Sequence, residues 1–181
     1  MKKTLLIICF LVGFLVQNFA QVNKDFILTL NQDTLYGEIT IYRDKSPIIF
    51  KYHKKKMRYH PNTLQAFGIL ENDEYHQFKS LKSQNGIAVF AQLMTEGPLY
   101  LYKYREQHVY SSHTLERYVY FLGESDQNMT TLSSSSYKRI LGQLFNKYPN
   151  FLAKLNASSF SEVPKIISFL NQELIRNLGR K

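Results

Sequence analysis

Apolar and polar residues alternate along most of this chain, and the alternation predicts strands. Phe26-Ile-Leu-Thr-Leu30 is closed by Asn31-Gln-Asp33, a turn signal. Leu35, Ile39 and Ile41 then alternate with Tyr36, Glu38, Thr40 and Tyr42. Successive strand side chains point to opposite faces, so this is the period of a half-buried strand. Asp44-Lys-Ser-Pro47 predicts a turn, followed by Ile48–Tyr52, a basic stretch and Met57–Tyr59. Pro61-Asn62 punctuates the chain before Leu64–Leu70. Asn85-Gly86 lies between two strand-like runs, 75–81 and 87–94, and predicts a two-residue hairpin turn because both residues tolerate positive φ. Glu96-Gly-Pro98 leads into Leu99–Arg105, where Tyr100, Tyr102 and Tyr104 share one face, with Leu99, Leu101 and Lys103 on the other. Strands over 109–112 and 117–122 complete roughly eight to ten, at the spacing of an antiparallel meander.

The period then changes. Residues 123–136 are rich in Ser, Thr and Asn and read as a polar linker. From Tyr137 onward, Tyr137, Ile140, Leu141, Leu144, Phe145 and Tyr148 form a helical apolar stripe. Ser134 to Ser136 offer capping side chains, and Pro149 ends this helix. A short helix carries Phe151, Leu152 and Leu155; Ser161 caps a last one, with Pro164 in its first turn. Val163, Ile166, Ile167, Leu170 and Leu174 line one face of that last helix. A single apolar stripe must be buried, and the sheet is the nearest partner. The expected fold class is therefore α+β: an antiparallel β-meander sheet, curved or partly closed, followed by two or three C-terminal helices packed on it. Its parts are a β region over 21–122, the linker over 123–136 and a helical region over 137–181, together one globular domain spanning 21–181.

The first twenty residues stand apart. Lys2 and Lys3 precede an apolar run from Leu5 to Val16, then come Gln17-Asn18 and the small residue Ala20. This is the layout of a cleaved signal peptide, with a mature chain starting at Gln21, and the run is shorter than a membrane span needs. The expected location is the periplasm, the outer-membrane surface or the medium. Cleavage removes Cys9, the single cysteine, so neither disulfides nor thiol chemistry are expected. Fold stability then rests on a hydrophobic core, which about 160 residues suffice to build. Aromatics make up 14% of the chain with no Trp, a Tyr- and Phe-rich usage that favours strands over disorder. The formal charge is +9, and losing Lys2 and Lys3 leaves it strongly basic, which favours anionic partners.

Three stretches resemble an uncharacterised family of exported envelope proteins common in Bacteroidota-type bacteria. Asp33-Thr-Leu-Tyr-Gly-Glu-Ile39 is similar to that family's "GDTIxGxI" strand, with Gln32 where the family usually has Gly. Tyr59-His-Pro-Asn-Thr-Leu-Gln-Ala-Phe-Gly68 is similar to its "YxPxDIxxF" segment, and Leu93-Met-Thr-Glu-Gly-Pro-Leu-Tyr-Leu-Tyr102 to "LxxGxxxLY". Tyr148 stands where members often carry Cys. The resemblance implies envelope location and fold, and it brings no activity with it.

Candidate chemistry is sparse. The five histidines lack ligand spacing: His108 and His113 fall an odd number of residues apart, and His53 and His60 flank the basic stretch without opposing each other. Ser133 to Ser136 lack the Gly-x-Ser-x-Gly setting of a nucleophile, and no Gly-rich phosphate loop or other cofactor motif is present. The acidic residues are scattered apart from Glu71-Asn-Asp-Glu74; a glycosidase pair such as Glu38 with Glu96 has nothing to mark it. No catalytic, cofactor or metal residue is therefore nominated. Two features remain as binding candidates. One is a tyrosine set, Tyr36, Tyr42, Tyr100, Tyr102, Tyr104, Tyr118 and Tyr120, with Tyr100, Tyr102 and Tyr104 as an aromatic face for sugars or peptides. The other is the basic run Lys51, Lys54, Lys55, Lys56 and Arg58, with Lys54 to Lys56 as a turn tip offered to lipid phosphate, lipopolysaccharide or acidic glycan. The bland alternatives are packed tyrosines and lysines that keep a sheet edge from aggregating. Export argues against nucleic acid. The expected role is a non-enzymatic binding or structural module for an anionic, carbohydrate or protein partner. The alternative is an enzyme on envelope polymers with unidentified carboxylates.

Overall fold

A computed structural model describes residues 24–41, 47–83, 85–109, 114–125 and 128–178. The expected signal peptide and the turn over 44–46 lie outside the described residues. Among the described residues there are ten strands: β1 (Asp25–Thr29), β2 (Thr34–Thr40), β3 (Ile48–Tyr52), β4 (Lys55–Tyr59), β5 (Leu64–Glu71), β6 (Glu74–Lys82), β7 (Ala88–Thr95), β8 (Tyr100–Val109), β9 (Thr114–Gly123) and β10 (Thr130–Leu132). Helices α1 (Tyr137–Leu144), α2 (Pro149–Ala157) and α3 (Val163–Leu178) follow. The strand order is β10-β9-β8-β7-β6-β5-β1-β2-β3-β4, an open antiparallel sheet. The meander is interrupted once: β5 follows β4 in the chain but pairs with β1. The residue types fit this. β4 carries Lys55, Lys56 and Arg58 and takes the edge, while the apolar β5 takes an interior place. The chain divides into two compact units, with the boundary between Gln77 and Phe78.

In the first unit, Ile27, Ile48, Phe50, Leu64 and Phe67 are buried at 1% exposure or less. Ile27 lies opposite both Leu35 and Phe67, and Ile39 lies opposite Phe50, so the inward positions of four strands meet across the ladder. Asp25 opens the central strand. Its carboxylate accepts the Ile39 N–H at 2.8 Å and the Leu70 N–H at 3.0 Å, joining β2 and β5 where β1 begins. The β1–β2 connection places Gln32 at φ 67°. There the Thr29 N–H donates to the Asp33 carbonyl and the Gln32 N–H to the Thr29 carbonyl, both at 3.0 Å.

In the second unit the helices cover one face of the strands. Leu99, Leu101, Tyr120, Leu122 and Leu132 form a buried cluster with Tyr137, Leu141, Phe151, Leu155, Val163, Ile166, Ile167 and Leu170. The helical stripes are buried or partly buried as their period predicts, except Leu144, which is exposed; Phe145 and Tyr148 lie past the end of α1 and pack on the cluster from the connection to α2. Leu132 belongs to β10, so the segment read as a linker contains a strand paired with β9. Capping differs too. Ser136 precedes α1 without a side-chain cap, its hydroxyl instead receiving the Ser133 N–H at 3.2 Å. Ser159, not Ser161, starts the last helical segment: its N–H and hydroxyl both donate to Glu162, at 2.9 and 3.0 Å. Those bonds, the backbone one first, hold the Glu162 pKa below its ordinary value. α1 stops at Leu144, where the Phe145 N–H donates to the Leu141 carbonyl, so Pro149 does not end it as expected; Pro149 begins α2, where its missing N–H is harmless. Asn171 ties α3 to Leu99, the residue just before β8. Its amide donates to the Leu99 carbonyl and accepts the Leu99 N–H, both at 2.9 Å and buried. A Cβ at Gly97 would lie 2.7 Å from that amide nitrogen, so glycine is required there.

The connections also differ from expectation. Lys82 pairs with Ala88, so Asn85-Gly86 lies in a five-residue connection rather than a two-residue turn. Among the described residues of that connection Gly86 has a positive φ, at 72°. The two-residue turns are His53-Lys54 and Asn72-Asp73, all four residues being left-handed.

Candidate functional site

The β3–β4 hairpin builds the basic cluster. Tyr52 lies opposite Lys55, leaving His53 (φ 44°) and Lys54 (φ 68°) as the turn. Two left-handed residues match the twist of the paired strands, which is why the register imposes this conformation without Asn or Gly. Lys54 is therefore at the tip, whereas Lys55 and Lys56 open β4. That corrects the expectation of a tip made of Lys54 to Lys56.

Strand alternation divides the cluster further. Ile48 and Phe50 mark the inward face, so Lys51, Lys56 and Arg58 project from the outer one, and Lys55 does not. Lys51 and Lys56 are direct cross-strand partners, a like-charge pairing that costs stability. Glu38, opposite Lys51 on β2, offsets it by accepting a hydrogen bond from Lys51 Nζ at 2.8 Å. That bond, then the lysine's charge, hold the Glu38 pKa below the usual carboxylate value. Lys54, Lys55, Lys56 and Arg58 are exposed, and none has an acidic partner among the described residues. At the tip the His53 ring meets Tyr52 edge-on with centroids 4.2 Å apart, and Tyr52 stacks on Phe50 at 6.2 Å.

Tyr100, Tyr102 and Tyr104 do share a face, opposite Gly123, Phe121 and Val119. It is a packed face. Tyr102 is 4% exposed in a cluster with Leu81, Val89, Ala91, Val119 and Phe121, and the half-buried Tyr100 and Tyr104 pack against it. The exposure a stacking platform needs is missing at its centre. Leu99 and Leu101, from the opposite face, go beneath the helices. Tyr120 lies there too, its ring edge-on to Phe160 at 5.0 Å; burial first, and Tyr118 second, raise its pKa. Tyr118 is exposed under the Lys103 ammonium, 3.9 Å from its ring centroid. Tyr42 lies outside the described residues.

The exposed aromatic surface of the first unit is elsewhere. Phe26 lies opposite Tyr36 and Gly68, and its ring rests on the glycine: a Cβ at Gly68 would come within 2.2 Å of it. Tyr36 and Tyr75 flank that ring at 6.4 and 6.2 Å, and are 39% and 38% exposed. The Tyr75 hydroxyl donates to the Lys24 carbonyl at 3.0 Å. Sequence reading included Tyr36 but missed Phe26 and Tyr75, because only the insertion of β1 between β2 and β5 brings them together. The available signal was Asn72-Asp73, read as part of an acidic cluster instead of a hairpin turn.

Among the described residues no three His, Cys, Asp or Glu gather where they could hold a metal ion. Among the same residues no helix is long and apolar enough to cross a membrane. Comparison with protein-family models, curated proteins and solved structures finds no match.

Proposed function

We propose that this is an exported envelope protein, directed out of the cytoplasm by residues 1–20, that acts as a non-enzymatic binding module. Its β3–β4 hairpin takes an anionic partner. The observation that carries this reading is the uncompensated charge of Lys54, Lys55, Lys56 and Arg58 beside a Lys51 already paired with Glu38. Clustered cations on one hairpin raise the local potential and draw anions to it. Catalysis has less support. A glycosidase acid needs a raised pKa, and Glu38, one of the two carboxylates considered for that role, is shifted the other way by Lys51.

Replacing Lys54, Lys55 and Lys56 with Gln tests the reading on a heparin-type resin. The variant is expected to elute at lower salt and with a shallower salt dependence. Equal retention across the gradient would remove the hairpin from consideration.

A further inference from the structure

Resting on the hairpin reading, we infer that the outer face of the first unit is a preorganised platform for an acidic glycan: Tyr36 and Tyr75, set around Phe26, take sugar rings, and Lys56 and Arg58 take the carboxylate or sulfate groups.

Two independent features meet on this face. The first is the aromatic row. Phe26 is seated on the backbone of Gly68, and the Tyr75 hydroxyl is tied to the Lys24 carbonyl. The rings are therefore held in place before any ligand arrives, which lowers the ordering cost of binding. Tyrosine suits a sugar because it joins apolar area to a polar tip, matching the C–H face and hydroxyl rim of a pyranose. The second feature is the cation row. Tyr36 and Glu38 project from the same face of β2, about 7 Å apart along the strand. Glu38 leads across the ladder to Lys51 and then Lys56, with Arg58 two residues further along β4. Lys51 is held by Glu38, which leaves Lys56 and Arg58 to the ligand.

The far end of the row sets polarity. Glu71, Asp73 and Glu74 cluster around the β5–β6 turn next to Tyr75. An anionic chain is repelled there and attracted toward β4, so its charged groups face the basic hairpin while less charged sugars lie over Tyr75. A bare anionic surface uses the cations but has no use for the rings. That difference separates a glycan from a lipid bilayer.

The test titrates the full chain with three probes: a heparin octasaccharide, linear polyphosphate as a ring-free anion, and phosphatidylglycerol vesicles. Tyr36→Leu keeps an apolar strand residue and removes the ring; Tyr36→Phe keeps the ring. Thermal melting confirms that each variant is folded. Tyr36→Leu is expected to weaken the octasaccharide roughly three- to tenfold, the scale of one aromatic contact, with its salt slope and polyphosphate binding unchanged. Tyr36→Phe, which keeps the ring and loses the polar tip, is expected to bind the octasaccharide between Tyr36→Leu and the parent. The paired change Lys56→Gln with Arg58→Gln is expected to weaken both soluble probes and flatten both salt slopes. If that pair loses both probes while Tyr36→Leu loses neither, or loses both equally, the glycan inference fails and the hairpin reading stands. If the pair keeps both probes, the platform inference falls, and the Lys54, Lys55 and Lys56 variant separately decides the hairpin reading. Binding to the vesicles but not to the octasaccharide would overturn the glycan in favour of a membrane surface.

Discussion

In the second unit three helices lie over Leu101, Leu122 and Leu132, and one buried amide, Asn171, fastens α3 to the backbone of Leu99. The first unit has no α-helix among its described residues. There, bulky rings settle onto glycines, Phe50 against Gly37 and Phe26 against Gly68, and a single carboxylate, Asp25, joins three strands. The contrast separates two ways of fixing a sheet. A helix-backed face needs side chains of the right period, and a few polar locks then set the register. A face without helices depends on cross-strand fit, so its determinants are residues distant in sequence. The outer side of such a face stays open, and in this protein that is where the exposed tyrosines and unpaired cations are found.

Breaking the helix lock is expected to have the largest effect. Asn171→Leu leaves the Leu99 N–H and carbonyl buried without partners, which costs about 2–4 kcal/mol. Urea unfolding measures it. A variant as stable as the parent would show that α3 is held by apolar packing alone. Asn171→Asp sharpens the point, because a carboxylate still accepts the Leu99 N–H but presents a second oxygen to the Leu99 carbonyl.

The matching test in the first unit is Asp25→Ala. It strips the acceptor from the Ile39 and Leu70 amides and is expected to cost about 1–3 kcal/mol, less than the Asn171 change because the site is only partly buried. Hydrogen exchange gives the local readout. Protection is expected to fall at Ile39 and Leu70 and to persist at Leu99. Uniform loss across both units would mean that Asp25 acts on global stability and not on this junction.

These two residues also mark the limit of what the chain discloses before it folds. The strands, their alternation and the helical stripes are legible because each depends on neighbours two, three or four positions away. Asn171 and Asp25 are not, since one meets Leu99 across 72 residues and the other Leu70 across 45. The candidate site divides the same way. Its basic run is contiguous and legible; its turn falls at His53-Lys54 and not at Lys54 to Lys56, because this pair lacks the Asn-Gly or Asp-Gly pattern that marks a two-residue turn. The tyrosines of β8 were correctly placed on one face, but period alone does not say which face is packed. Phe26, Tyr36 and Tyr75 became a group only through the order β6-β5-β1-β2.

The smallest expected effect compares one loop geometry across the two units. Between β1 and β2, the Thr29 N–H donates to the Asp33 carbonyl and the Gln32 N–H to the Thr29 carbonyl. Between β6 and β7, the Ser83 N–H donates to the Ile87 carbonyl and the Gly86 N–H to the Ser83 carbonyl. The left-handed residue is Gln32 at φ 67° in the first loop and Gly86 at φ 72° in the second. A side chain in that region costs about 1–2 kcal/mol. Glycine avoids the clash but gives back about 0.5–1 kcal/mol through the greater freedom of the unfolded chain. Gln32→Gly is therefore expected to stabilise the protein by about 0.5–1 kcal/mol, and Gly86→Gln to destabilise it by a similar amount. Nothing lies within 4 Å of a Cβ built at Gly86, so steric crowding does not confound that second change. Chemical denaturation of both variants decides the matter. Opposite shifts of similar size mean that backbone conformation alone sets the preference. A loss of stability in Gln32→Gly would instead assign the glutamine side chain a contact of its own.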